Sequence, residues 1–74
     1  MEAESAFFDP AHAVFEDTRH SSGNERRYIL YGRSLEGRVL MTAFALRASK
    51  IRIISARTAS RKERKIYEER KEKT

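Results

Sequence analysis

Three apolar runs follow one another in the middle of the chain with almost no sequence between them. Tyr28-Ile29-Leu30-Tyr31 is β-branched and aromatic and ends at Gly32. Ser34 to Gly37 reads as a tight turn, and Arg38 to Leu46 is the next strand, so the two make a hairpin. Arg47 to Ser49 turns again, and Lys50 to Ala56 is a third strand, with Ile51 and Ile53 on one face and Lys50 and Arg52 on the other. The pattern predicts an antiparallel sheet with one dry face and one basic face.

The flanks read as helices. Ala3 to Phe8 carries good helix formers and stops at Asp9-Pro10, because proline disfavours an α conformation at the residue before it. His12 to Phe15 is a short strand, and Glu16 to Asn24, with Ser21, Ser22 and Gly23, has loop composition. Ala59 to Lys73 is dense in Arg, Lys and Glu, and Ser60 stands three residues ahead of Glu63, the spacing of a capping box. Pairs at i, i+4 (Arg64 with Glu68, Lys65 with Glu69) support that helix, and Arg70, Lys71 and Lys73 suit its C-terminal dipole. Ala59, Ile66 and Tyr67 are its candidates for docking on a core, and the last few residues are expected to fray. The fold class is therefore α+β: three to four antiparallel strands, a short N-terminal helix and a charged C-terminal helix.

With 74 residues the chain is one domain spanning residues 1–74, below the usual size of about 100 to 150 residues. Only 39% of it is hydrophobic, so the core is thin and stabilisation by a partner or a second copy is expected. No cysteine is present to form a disulfide or a thiolate metal site. No apolar run approaches the roughly 20 residues that span a bilayer, and the acidic start Met1-Glu2-Ala3-Glu4 is unlike a secretory signal. The expected compartment is the cytoplasm.

Charge is unevenly divided. Residues 1–18 hold five acidic residues and no Lys or Arg, whereas residues 19–74 carry all 16 basic residues against six acidic ones, a balance of +10. Eleven of the basic residues are arginine, whose planar fork matches phosphate geometry. Arg38, Arg52 and Arg57 lie within strand-like segments, where a sheet would hold them in place. A polyanion is the natural partner.

No spacing of His12, His20 and acids resembles a metal-ligand set, and Gly23, Gly32 and Gly37 stand alone rather than in a phosphate loop, so no metal or cofactor is expected. RNA cleavage by the neighbouring 2′-hydroxyl is chemistry a basic surface can run unaided: it needs a proton acceptor, a proton donor and cations over the phosphate. His20, in a polar loop beside Arg19, can move protons near neutral pH. Glu25 is either a base or a partner of Arg26 or Arg27. Arg52 and Arg57 are the best phosphate clamps, with a structural pair to a helix acid as the alternative for Arg57. Glu63 reads first as a cap. Tyr67 reads first as a docking residue, Tyr28 and Tyr31 as sheet packing, and His12 as structural. A basic DNA-binding protein is the weaker reading, since no helix-turn-helix, zinc-finger or basic-zipper pattern is present.

The segment Asp17-Thr18-Arg19-His20-Ser21-Ser22-Gly23-Asn24-Glu25-Arg26, followed by Tyr28-Ile29-Leu30-Tyr31-Gly32-Arg33-Ser34, resembles the D-x-R-H-S…E-R…I-G-x-S stretch of the BrnT family. Gly37-Arg38-Val39-Leu40, then Ile51-Arg52-Ile53-Ile54-Ser55-Ala56-Arg57, then Ala59-Ser60-Arg61-Lys62-Glu63-Arg64 with Tyr67-Glu68 follow the family's G-R-x-L, R-I-I-S-A-R and A-x-x-x-E-R-x-x-Y-E order. The likeness runs from about Phe7 to Glu69.

The resemblance implies a type II toxin: a ribonuclease with a RelE-like α+β fold, paired with a BrnA-like ribbon-helix-helix antitoxin, in a homodimer or a toxin–antitoxin hetero-oligomer. Carried over by motif position, it points to His20, Glu25, Arg26, Arg52, Arg57, Glu63 and Arg64, with Ser55 shaping a strand end. Arg33, Lys50 and Arg61 add to the surface expected to bind RNA. Relatives usually begin with a strand carrying Trp-Asp and a helix with an N-x-x-K-H-G motif. The first helix here corresponds to the family's second, so a shortened member is expected. Metal-independent RNA cleavage is the first functional expectation, and a non-catalytic module that binds antitoxin or RNA is the alternative.

Overall fold

The computed structural model describes residues 2–72, with side chains through Lys71, so the expected helix-end role of Lys73 and the fraying of the final residues lie outside the described part. Helix α1 (Glu2–Ala6) leads into strands β1 (Ala13–Glu16), β2 (Arg26–Arg33), β3 (Val39–Arg47) and β4 (Lys50–Thr58), and α2 (Arg61–Glu72) follows. The strands form one sheet in the order β1-β2-β3-β4, each pair antiparallel. The α+β architecture is thus the one the sequence predicts, with four strands, the upper end of the three to four expected. Among the described residues no helix is long and apolar enough to cross a membrane.

Local chemistry sets the element ends. Phe7, Phe8 and Asp9 donate their N–H groups three residues back, to Glu4, Ser5 and Ala6, which tightens the chain out of α1 just before Pro10. The helix therefore ends at Ala6, two residues earlier than predicted. The β2–β3 turn is closed by Ser34 N–H to Arg38 O (2.8 Å) and Gly37 N–H to Ser34 O (2.9 Å), with Gly37 at φ +85°, a conformation glycine adopts without strain. β4 continues two residues past the predicted end at Ala56. The capping box of α2 forms as its spacing predicts: Glu63 N–H donates to Ser60 Oγ (3.2 Å) and Ser60 N–H to Glu63 Oε1 (2.8 Å).

Each helix covers part of one sheet face. On the α1 side Ala6, Leu30 and Phe44 are buried, with Phe7 and Tyr28 packed against them. Phe44 stacks on Tyr28 at 5.4 Å between ring centroids and meets Phe7 edge-on at 5.1 Å. Gly32 is required here, because a Cβ would stand 2.6 Å from the Ala6 carbonyl oxygen. On the α2 side Val39, Ala59 and Tyr67 are buried, joined by Ala11 and Tyr31. Tyr28, Tyr31 and Tyr67 therefore pack as expected. Strand alternation puts Ile51 and Ile53 on the α1 face and Lys50 and Arg52 on the other, again as predicted. The dry-face and basic-face division needs correcting, however. A five-residue helix is too short to cover Ile51, which is 57% exposed, and the opposite face carries its own apolar cluster under α2.

Asp9 ties the two layers together. Its Oδ1 accepts from Ala11 N–H (2.9 Å), and its Oδ2 accepts from Arg33 N–H (2.8 Å) and from the Tyr67 hydroxyl (2.5 Å). Burial pushes the carboxyl pKa up, but these donors outweigh it and hold it below the ordinary aspartate value. Burial, then the Asp9 carboxylate, raises the Tyr67 hydroxyl, which stays protonated as donor.

Candidate active site

The loop after β1 delivers the first site residues. Asp17 N–H donates to Arg27 O (2.8 Å) and Ser21 Oγ accepts from Arg27 N–H (2.9 Å) while donating to Asp17 O (2.9 Å), so the loop is laced to the start of β2. Ser22 and Glu25 close it further, through Ser22 N–H to Glu25 O (2.8 Å). In that frame His20 Nδ1 lies 2.8 Å from Asp17 Oδ2. In the tautomer that carries its proton on Nδ1, that nitrogen donates to the carboxylate and Nε2 keeps its lone pair.

Asp17, His20 and Arg27 line a cavity of about 190 Å³ together with Tyr28, Ala43, Phe44 and Ile54. Arg27 shares its sheet row with Ala45 and Arg52, whereas its neighbour Arg26 points to the other face and pairs with Glu16 at 3.0 Å. Glu25 lies between two guanidinium groups: Arg27 Nε donates to its Oε2 (3.2 Å) and Arg52 reaches its Oε1 at 3.6 Å. Glu25 thereby positions two cations. A β-bulge at Ala43/Phe44 sets Ile54 into the strand as an extra residue beside this cavity.

Farther along the same face Arg57 makes a two-pronged bond to Glu63 (2.8 and 2.9 Å) and donates to Thr58 O (3.3 Å). Arg57 and then the capping N–H hold the Glu63 carboxyl below its ordinary value despite partial burial, and Glu63 in turn raises Arg57. Arg57 is thus paired to the helix acid, the alternative its sequence position left open. Burial first and the Glu63 charge second raise the Tyr31 hydroxyl nearby.

The remaining candidates are dispersed. Lys50 and Arg52 border a 350 Å³ recess with Glu25 and Arg47, next to the His20 cavity. Arg33 and Arg64 line a separate cavity of about 440 Å³ with Arg38 and Glu68, where Arg33 stands 3.7 Å from Glu68 and donates to Gly37 O (3.1 Å). Ser55 is exposed opposite Ala43, Arg61 is exposed at the start of α2, and Tyr67 is buried on Asp9. His12 Nδ1 contacts the Asp9 carbonyl (2.7 Å) and is structural, as expected. The structure therefore gathers His20, Glu25, Arg52 and Lys50 on one side, and adds Asp17 and Arg27, which the sequence reading had not chosen. The i, i+3 spacing of Asp17 and His20 was the available signal for the first, whereas the choice of Arg27 over Arg26 follows from the register of β2 against β3.

A family profile described as the ribonuclease toxin BrnT of type II toxin–antitoxin systems matches residues 1–63. The chain belongs to the BrnT family. Of the residues just described, the match includes all but Arg64, Tyr67 and Glu68. No curated protein matches the chain. Membership makes this BrnT-family chain a relative of ribonuclease toxins that have an antitoxin as partner.

Proposed function

We propose that this BrnT-family chain cleaves RNA without a metal ion, as a growth-arresting toxin of the cytoplasm that a BrnA-like ribbon-helix-helix antitoxin neutralises. The observation that carries the reading is the Asp17–His20 pair facing a cavity that Arg27 also lines, with Glu25 and Arg52 alongside.

In this mechanism His20 Nε2 takes the proton of a ribose 2′-hydroxyl. The 2′-oxygen bonds to the adjacent phosphorus, and the bond from phosphorus to the 5′-oxygen breaks. The departing oxygen takes a proton from solvent at the open rim of the cavity, leaving a 2′,3′-cyclic phosphate and a 5′-hydroxyl. Asp17 holds the imidazole and stabilises its cationic form. Arg27 and Arg52 offset the charge that builds on the phosphoryl oxygens. Lys50 extends the cationic track, and Arg33, Arg61 and Arg64 hold more distant phosphates.

The test is cleavage of RNA by purified protein in EDTA. Removal of the general base in His20→Ala is expected to lower the rate by about 10²-fold or more with RNA affinity retained, and Asp17→Asn to lower it less. Wild-type rates in His20→Ala of unchanged fold would reject the mechanism. Binding without cleavage by the wild type would favour the non-catalytic reading, which the closed Arg57–Glu63 pair supports.

A further inference from the structure

The central strands β2 and β3 are apolar at consecutive positions rather than at alternate ones, the pattern of strands covered on both faces. The structure meets that pattern on the α1 face, where Leu30, Thr42 and Phe44 are buried. On the α2 face Ile29, Met41 and Ala43 stay half-buried, because Tyr67 docks the helix beyond them, against Val39 and Ala59. Direct cross-strand pairing joins Phe15, Ile29 and Ala43 into one row across β1, β2 and β3. An apolar strip thus lies open in the middle of the sheet.

Its neighbours indicate what suits it. Ala43, at the inner end, also lines the cavity of Asp17 and His20. Phe15, at the outer end, stands two residues before Asp17, whose N–H continues the β1–β2 ladder, so the two share a face about 6.8 Å apart. The Phe15 ring is 37% exposed, lies tilted against Tyr31 at 5.7 Å, and has the Arg70 guanidinium 5.3 Å from its centroid. An aromatic ring with an arginine beside it is a common grip on the unpaired bases of a single strand. An acidic protein segment suits the strip less, because the cations around it already meet carboxylates, Arg27 and Arg52 at Glu25 and Arg57 at Glu63. An uncharged planar ring leaves those pairs intact.

We propose that the strip is a base subsite, in which Phe15 stacks on the base of the nucleotide whose 2′-hydroxyl meets His20. Ile29 and Ala43 form the floor under that base. Arg70, exposed on α2, exchanges its contact with the phenyl ring for one with the base. The inference rests on the proposed RNA cleavage, since the Asp17–His20 pair fixes which nucleotide lies there. Stacking holds the ribose so that its 2′-oxygen stays at His20 Nε2. It accepts every base and favours the larger rings, so the preference it gives is graded.

The experiment uses the full chain and DNA strands holding a single ribonucleotide, because only that position offers a 2′-hydroxyl. The ribonucleotide carries either adenine or no base, the latter as 1-deoxyribose. Loss of the base is expected to lower kcat/KM by about tenfold or more. Phe15→Leu, which keeps an apolar side chain without a π face, is expected to lose about tenfold on the adenine strand and much less on the base-free one. Phe15→Tyr is expected to keep the preference. Equal losses on both strands in Phe15→Leu would make Phe15 merely structural and overturn the proposal, as would an undiminished preference in that variant. A 2′-O-methyl adenine strand separates the subsite from the cleavage. Nuclear Overhauser contacts between the Phe15 ring and adenine protons, in a chain that cuts nothing, would reject the ribonuclease reading and uphold the subsite. Binding of that strand without those contacts, or self-association that buries Phe15 and excludes the strand, would overturn the subsite alone.

Discussion

Ala48 and Ser49 turn the β3–β4 hairpin at φ +51° and +68°, the left-handed region that a Cβ disfavours. Two-residue hairpins demand this backbone because its twist matches that of the flanking strands, and Asn-Gly meets the demand with least strain. The double substitution Ala48→Asn with Ser49→Gly is expected to stabilise the protein by about 1 to 2 kcal/mol, read as a higher denaturant midpoint at constant slope. An unchanged or lower midpoint would show that the turn carries no such strain. The same residue-level view separates Arg26 from Arg27. The two are adjacent in sequence and alike in chemistry, yet strand parity sends one to Glu16 and the other to the His20 cavity. Sequence alone had no way to choose between them, because the parity of β2 depends on its register against β3.

At the scale of elements, α2 is held by a junction in which one carboxylate serves two masters. Glu63 caps Ser60 N–H and takes both prongs of Arg57, joining the helix to the last strand. Its pKa lies below the ordinary 4.5, so the unfolded chain binds the proton more tightly than the folded one. The stabilisation is therefore complete above pH 4.5 and is lost as pH falls through the lower folded value. Thermal unfolding is expected to show a fall in Tm below about pH 4.5 that is smaller in Glu63→Gln than in the wild type, with Asp9 supplying part of what remains. Equal slopes in the two proteins would remove Glu63 from the acid response. The elements themselves were largely legible. β-branched runs, a Gly-containing turn and a capping box are local signals, and β2, β3, β4 and α2 follow from them. The helical stop at Ala6 and the exposure of Ile51 were not legible, because they depend on how far a short helix reaches across a sheet.

For the whole molecule, the uneven charge of the chain becomes a spatial arrangement. The acidic start is used up in tying α1 and the following turn to the sheet, with Glu2 taking Arg38 and Ser34, and Asp9 taking Arg33 N–H and Tyr67. Arg38 and then Ser34 hold the Glu2 carboxyl below its ordinary value. The basic remainder divides between the His20 side, with Arg27, Arg52 and Lys50, and a second cavity bordered by Arg33, Arg38 and Arg64. That division could not be read from spacing, since both groups draw on the same strands. It supplies the most direct test of the central claim, that the Asp17–His20 pair and its neighbouring guanidinium groups receive the ribonucleotide backbone. The measurement is the change in arginine Nε–H and histidine ring signals when an RNA blocked at the 2′-oxygens is added. Saturable shifts at His20, Arg27 and Arg52 are the predicted result, and shifts confined to Arg33, Arg38 and Arg64 would contradict it.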